Sequence, residues 1–196
     1  MNPLSAAELG ILDWIAAHFQ CGWMDQLMPA VSWLGNTGLI FIIWGVALLA
    51  LGRWQRNVGF QILMALVLSA ILCNLILKNA VGRIRPFDLN TAVSLLIPPP
   101  DDPSFPSGHS SAAFATAVVL LLTKTKGRWV ALVLAFVMAF SRLYLYVHFP
   151  TDVLCGILLG SLCGWLAVHI WRRYLRGTAL GRELTFVPRG GPPDDP

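Results

Sequence analysis

The chain has 196 residues, of which 56% are hydrophobic and only 12% charged, with a formal net charge of +4. Soluble domains carry about 25% charged residues, so half that fraction argues against one and points to the bilayer. The basic residues are not massed on one polar segment, so no nucleic-acid partner is expected.

Residues 5–19 (SAAELGILDWIAAHF) are too short and too interrupted by Glu8 and Asp13 to span. They read as an amphipathic helix in the membrane interface, with Ser5 as N-cap and Glu8 closing a capping box. The first 52 residues contain no Lys or Arg, so no cleavable signal peptide is expected. Apolar runs long enough to span, about 20 residues each, follow at 30–51, 58–77, 129–147 and 153–171. The run 110–123 joins them if its helix starts near Pro106. The expected fold is an all-α integral membrane bundle of about five spanning helices, six if the N-terminal segment spans. Residues 1–29 form the interfacial segment, 30–173 the membrane domain, and 174–196 a cytoplasmic tail whose end, GGPPDDP, suits disorder. The four cysteines show no C-x-x-C spacing and read as small packing residues, not as a disulfide framework or zinc site.

Lys and Arg set the orientation. Arg53, Arg56, Lys124, Lys126, Arg128, Arg172, Arg173, Arg176, Arg182 and Arg189 all fall on one side, taken as the cytoplasm, with Trp54, Trp129 and Trp171 beside them. Lys78, Arg83, Arg85 and Arg142 fall on the other and break the bias, so orientation does not explain them. Arg83 is expected to face water, and Asp101 and Asp102 to lie in a solvated loop.

Three motifs reach that outer level: KNAVGRIRP (78–86), PSGH (106–109) and SRLYLYVHFPTD (141–152). Converging cations, two histidines and a carboxylate describe a phosphate site. Phosphoryl displacement is catalysed mainly by positioning and charge stabilisation. Arg85 and Arg142 offer paired donors to non-bridging oxygens, and Lys78 a point charge. Pro106 suits a first helical turn, which leaves Ser107, Gly108 and His109 with free backbone N–H groups aimed at an anion. His148 has Asp152 one turn away to fix its tautomer, so it suits the nucleophile; His109 suits the general acid. No carboxylate cluster offers itself to Mg²⁺, so no metal or other cofactor is expected. Tyr144 and Tyr146 read as packing residues.

The three motifs together resemble the signature of the type 2 phosphatidic acid phosphatase (PAP2) superfamily: Lys78, Arg85 and Pro86; Pro106, Ser107, Gly108 and His109; Ser141, Arg142, His148 and Asp152. The resemblance covers roughly residues 58–171. It implies a helical phosphatase core with His148 as nucleophile, Asp152 as its partner and His109 as acid. Lys78, Arg85, Ser107, Gly108 and Arg142 would bind the phosphate. Membrane members commonly have six spans; here the first is either missing or reduced to the amphipathic segment 5–19. The expected activity is hydrolysis of a lipid phosphate at the outer face of a plasma membrane through a phosphohistidine, with undecaprenyl diphosphate favoured. Phosphatidylglycerophosphate, phosphatidate, a lipid phosphotransferase and a non-enzymatic lipid transporter or scaffold are the alternatives. The expected partners are the lipid substrate and the bilayer; the sequence does not give the oligomeric state.

Overall fold

The computed structural model describes residues 3–51 and 55–185, and among them every regular element is helical. Helix α1 (Pro3–Phe19) is followed by α2 (Met24–Leu34), a 3-10 turn (Asn36–Gly38) and α3 (Leu39–Leu51). Helix α4 (Arg56–Ser69) continues through a π-helical stretch (Ala70–Leu77) into the single turn α5 (Lys78–Val81). Gly82, left-handed at φ 58°, ends it as a C-terminal glycine does. The turn α6 (Pro86–Leu89) precedes α7 (Gly108–Leu122), α8 (Arg128–Tyr144), α9 (Pro150–Ile170) with a π-turn (Trp171–Leu175), and α10 (Ala179–Leu184). Arg53, Trp54, Arg189 and the GGPPDDP end lie outside the described residues.

Among the described residues, Arg56–Leu89 and Pro150–Leu175 are long and apolar enough to cross a membrane. Met24–Leu34 with Asn36–Ala50 makes a third candidate, bent by 48°. The expected single span 30–51 is therefore two helices, broken where Thr37 takes a left-handed φ of 53°. Helices α7 and α8, of 15 and 17 residues, fall short of the length the expected spans needed.

Helix α7 is the axis of the bundle. Most of its residues are buried, and its Ala113, Ala117 and Leu120 share one core cluster with Ile62 and Ala65 of α4, Ala131 and Ala135 of α8, and Ala167 of α9. The close approach of α9 depends on Gly156 and Gly160: a Cβ at Gly156 would lie 2.5 Å from the Ser107 carbonyl, and one at Gly160 would run into Ser111. Outward, Leu75, Val133, Phe136 and Leu158 are exposed, the surface that lipid tails would cover.

The N-terminus departs from expectation. Helix α1 already begins at Pro3, so Ser5 lies inside it and caps nothing. Glu8 is buried and turns to the bundle instead, while Leu9 and Leu12 pack on Tyr146 and Phe149. Tyr146 and Tyr144 donate to Asp13 and Asp25, tying the α8–α9 corner to the N-terminal helices.

Candidate active site

A cavity of about 870 Å³ gathers the motifs. Lys78, Arg85, His109, Arg142 and His148 line it together with Ile42 of α3 and Leu63, Leu66 and Val67 of α4. The α4 residues lie about three to four turns before Lys78 on one continuous helix, which gives the cavity a polar and an apolar end. Val67 is 57% exposed on the outer flank of the bundle, so the cavity reaches the surface that faces lipid.

His148 sits in the α8–α9 corner, 2% exposed. Its Nδ1 lies 2.7 Å from the Ser104 carbonyl, which can only accept, so Nδ1 carries the proton and Nε2 is the bare nitrogen. Asp152 is not the hydrogen-bond partner expected: its Oδ2 is 3.7 Å from Nδ1 and accepts instead from Ser104 Oγ at 2.5 Å and Phe149 N at 2.9 Å. The Ser104 carbonyl fixes the tautomer, while Asp152 supplies charge from one turn away. Burial, then the Arg142 and Arg85 charges, push the His148 imidazolium down to about 3 against the pull of Asp152, which keeps the ring neutral.

Arg83 does not face water. Its Nη1 donates to Asp152 Oδ1 at 2.5 Å and to Thr151 Oγ1 at 2.7 Å, its Nη2 pairs with Glu8 Oε2, and its guanidinium lies 4.0 Å over the Phe149 ring. Glu8 Oε1 also accepts from Thr151 N at 2.9 Å and Thr151 Oγ1 at 2.6 Å, closing the start of α9. Helix α1 thereby reaches the carboxylate beside His148.

Asp102 lies in the expected loop with its side chain half-exposed, but it is also paired. It pairs with Lys78 and, at 2.7 Å, with Arg85 Nη2, while its carbonyl accepts from Arg85 Nε at 2.8 Å. Burial would raise its carboxyl, but the hydrogen bonds and charges of Lys78 and Arg85 outweigh that and hold it below the usual range. Arg85 Nη1 also donates to the Val147 carbonyl at 2.7 Å and stands 3.5 Å from His148 Nε2. Arg142, 2% exposed, donates to Ser32 Oγ, and its buried Nε has no partner among the described residues. His109 Nε2 is 3.2 Å from both the Ser32 carbonyl and Asn36 Oδ1, so the α2–α3 break reaches the site as well.

PSGH forms a cap with different parts than expected. Helix α7 starts at Gly108, with Ser107 as N-cap accepting from Ser110 N at 3.4 Å, so Pro106 lies before the helix. The Ser107 amide is not free for an anion, because it donates to the Asp152 carbonyl at 3.0 Å. Gly108 lines the cavity, where a side chain would crowd Asn74 Oδ1. The cysteines are free thiols, and Cys73 lines the cavity beside Gly108. Sequence reasoning missed Glu8, Ser32, Asn36 and Asp102; Ser104, adjoining PSGH, had a signal in its position alone.

Residues 59–176 match the PAP2 superfamily. The undecaprenyl-diphosphatase of Sulfolobus acidocaldarius is 38% identical over 125 residues, which are 63% of this chain and 60% of that protein's length. The lipid A 4'-phosphatase of Bacteroides thetaiotaomicron is 30% identical over 201 residues, covering 97% of this chain and 86% of that one. The crystal structure of a transmembrane PAP2-type phosphatidylglycerolphosphate phosphatase from Bacillus subtilis superposes with a TM-score of 0.71 at 26% identity, covering 91% and 90% of the two chains. The chain belongs to the PAP2 superfamily and carries the fold of its membrane lipid phosphatases.

Proposed function

We propose that this PAP2 phosphatase removes the terminal phosphate of a long-chain polyprenyl diphosphate, with undecaprenyl diphosphate the first candidate, at the outer face of the plasma membrane. The observation that carries the reading is the two-ended cavity: cations and two histidines at one end, apolar α3 and α4 side chains opening to lipid at the other. A lipid keeps its tail in the bilayer while its phosphate meets His148. The Sulfolobus relative's name supports the diphosphate. The Bacillus structure, matched over nearly the whole chain, supports a second reading, phosphatidylglycerophosphate. The cytoplasmic arginine clusters support the outer face.

In the first step His148 Nε2 attacks the terminal phosphorus. An N–P bond forms, the P–O bond to the lipid phosphate breaks, and His109 protonates the departing oxygen. Lys78, Arg85 and Arg142 hold the non-bridging oxygens, and the orphan Arg142 Nε gains an acceptor. Asp152 stabilises the charge that His148 acquires. Water, deprotonated by His109, then attacks the phosphohistidine and releases phosphate.

The test is phosphate release in detergent and EDTA from undecaprenyl diphosphate, phosphatidylglycerophosphate and phosphatidate, with His148→Ala as control. The expected outcome is a loss of about 10³-fold or more in the variant, and an acid-labile phosphoenzyme in the wild type. Release that survives His148→Ala in a folded protein would sink the mechanism, and the ranking of rates decides between the two lipids.

A further inference from the structure

Lys78 and Arg85 are already bridged by one carboxylate. Asp102 offers Oδ2 to Lys78 Nζ and Oδ1 to Arg85 Nη2, the two-oxygen bite that a phosphate would take. Both cations are buried, at 7% and 3% exposure, while the Asp102 side chain is 52% exposed on the proline-rich loop PPPDDP. Arg142, across the cavity, is left with a serine hydroxyl and an unpartnered Nε. Two of the three cations are thus answered from within the chain, by a group with water beside it to move into.

We propose that Asp102 is a specificity-determining residue: it fills the phosphate position of the resting site and yields to a terminal phosphate, but not to a phosphodiester. The proposal rests on Lys78 and Arg85 being the phosphate ligands. Coulomb attraction scales with the product of charges, so a dianion gains about twice what a monoanion gains against the same two cations. A diester carries one charge, as Asp102 does, but Asp102 is tethered and competes at an effective concentration of millimolar or above. The diester therefore has no electrostatic advantage over the resident carboxylate, whereas a terminal phosphate has. The terminal phosphate also has a third non-bridging oxygen, leaving one for Arg142 after Lys78 and Arg85 are served. A site open to the bilayer meets phosphodiester lipids in large excess, and this exchange excludes them without a steric barrier.

The experiment measures how phosphatidylglycerol, a phosphodiester, inhibits phosphate release in mixed micelles. Wild type is compared with Asp102→Asn, Asp102→Ser and the neighbouring control Asp101→Asn, with a melting curve for each. In both Asp102 variants the inhibition constant should fall about tenfold, the size expected when two half-exposed charge contacts are removed. Asp101→Asn should behave as wild type. Inhibition within twofold of wild type in the folded Asp102 variants would overturn the proposal. So would a higher KM for the diphosphate with no gain in phosphatidylglycerol binding, which would make Asp102 a strut for the two cations. Lys78→Ala and Arg85→Ala test the underlying assignment separately. If they leave KM unchanged, the phosphate-ligand reading falls, whatever the Asp102 variants do.

Discussion

Arg83→Met removes the cation that stands between two buried carboxylates. Asp152 is 0% exposed and the Glu8 side chain 4%, so neither anion has water to turn to once the guanidinium is gone. Taking one partner from a buried pair costs about 3–5 kcal/mol, because the charge left behind is uncompensated. Arg83 is itself 19% exposed, which admits some water and sets the expectation at the low end, about 3 kcal/mol. Met keeps the aliphatic stem but gives up the guanidinium's place over the Phe149 ring, a cation–π contact of about 0.5–1 kcal/mol that adds to the electrostatic loss. Glu8→Gln is milder: its amide oxygen still accepts from the Thr151 amide, and the cost is about 1.5 kcal/mol for weakening charged hydrogen bonds.

The assay is unfolding in detergent by denaturant or heat for both single variants and the double variant. Because Glu8 and Arg83 touch, the double variant should lose less than the sum of the singles, by about 1 kcal/mol or more. Losses that add to within about 0.5 kcal/mol would refute the coupling. An Arg83→Met protein as stable as wild type would refute the whole network. Phosphate release should fall with Arg83→Met, since Asp152 loses the group holding its Oδ1.

Gly160→Ala should destabilise by about 1–3 kcal/mol, because the new methyl meets the Ser111 backbone; Gly10→Ala, on a helix with nothing within 4 Å, should instead stabilise by about 0.5–1 kcal/mol, both read from unfolding curves. The depressed His148 predicts the sign of the acid response: unfolded chains bind a proton below about 6.5 and the folded site only near 3, so stability should fall as pH drops through that window. In a His148→Gln protein that part of the acid loss should be absent. In the wild type, an acid limb of kcat/KM above pH 5 should belong to the substrate phosphate, whose second ionisation lies at about 6.

The parts of the site legible in the sequence were those whose chemistry stands in a single side chain. A lysine, two arginines and two histidines at span ends are costly in a membrane and have few structural uses, so their type and order suffice. The roles that stayed hidden depend on contacts between distant positions. Arg83 looked like one more loop cation because Glu8 lies 75 residues before it and Asp152 lies 69 after. Asp102 looked unpaired because nothing local says that its loop folds back over Lys78 and Arg85. The helices follow the apolar runs, but their breaks do not. Residues 30–51 read as continuous, since Thr37 and Gly38 weaken a helix without forbidding it, and the left-handed turn at Thr37 is a tertiary choice.

Those breaks share a cause. In a bilayer, backbone groups released from a helix must find partners inside the protein or along a polar cavity. Two of the irregular stretches, the α2–α3 break and the π-helix before Lys78, border the same cavity, through Asn36, Thr37 and Gly38 and through Cys73 and Asn74; the π-turn at Trp171–Leu175 does not. The break lets the Ser32 carbonyl, which accepts from Gly35 N at 3.1 Å, also accept from His109. It also leaves room at Gly35, where a Cβ would lie 2.8 Å from the His109 ring. An uninterrupted helix through 30–51 would bind that carbonyl to residue 36 and close off the histidine. The π-helical residues add a wider turn just before Lys78, which sets the direction in which the lysine leaves the helix. Helical regularity is given up beside the cavity, and at the α2–α3 break the Ser32 carbonyl so released holds His109.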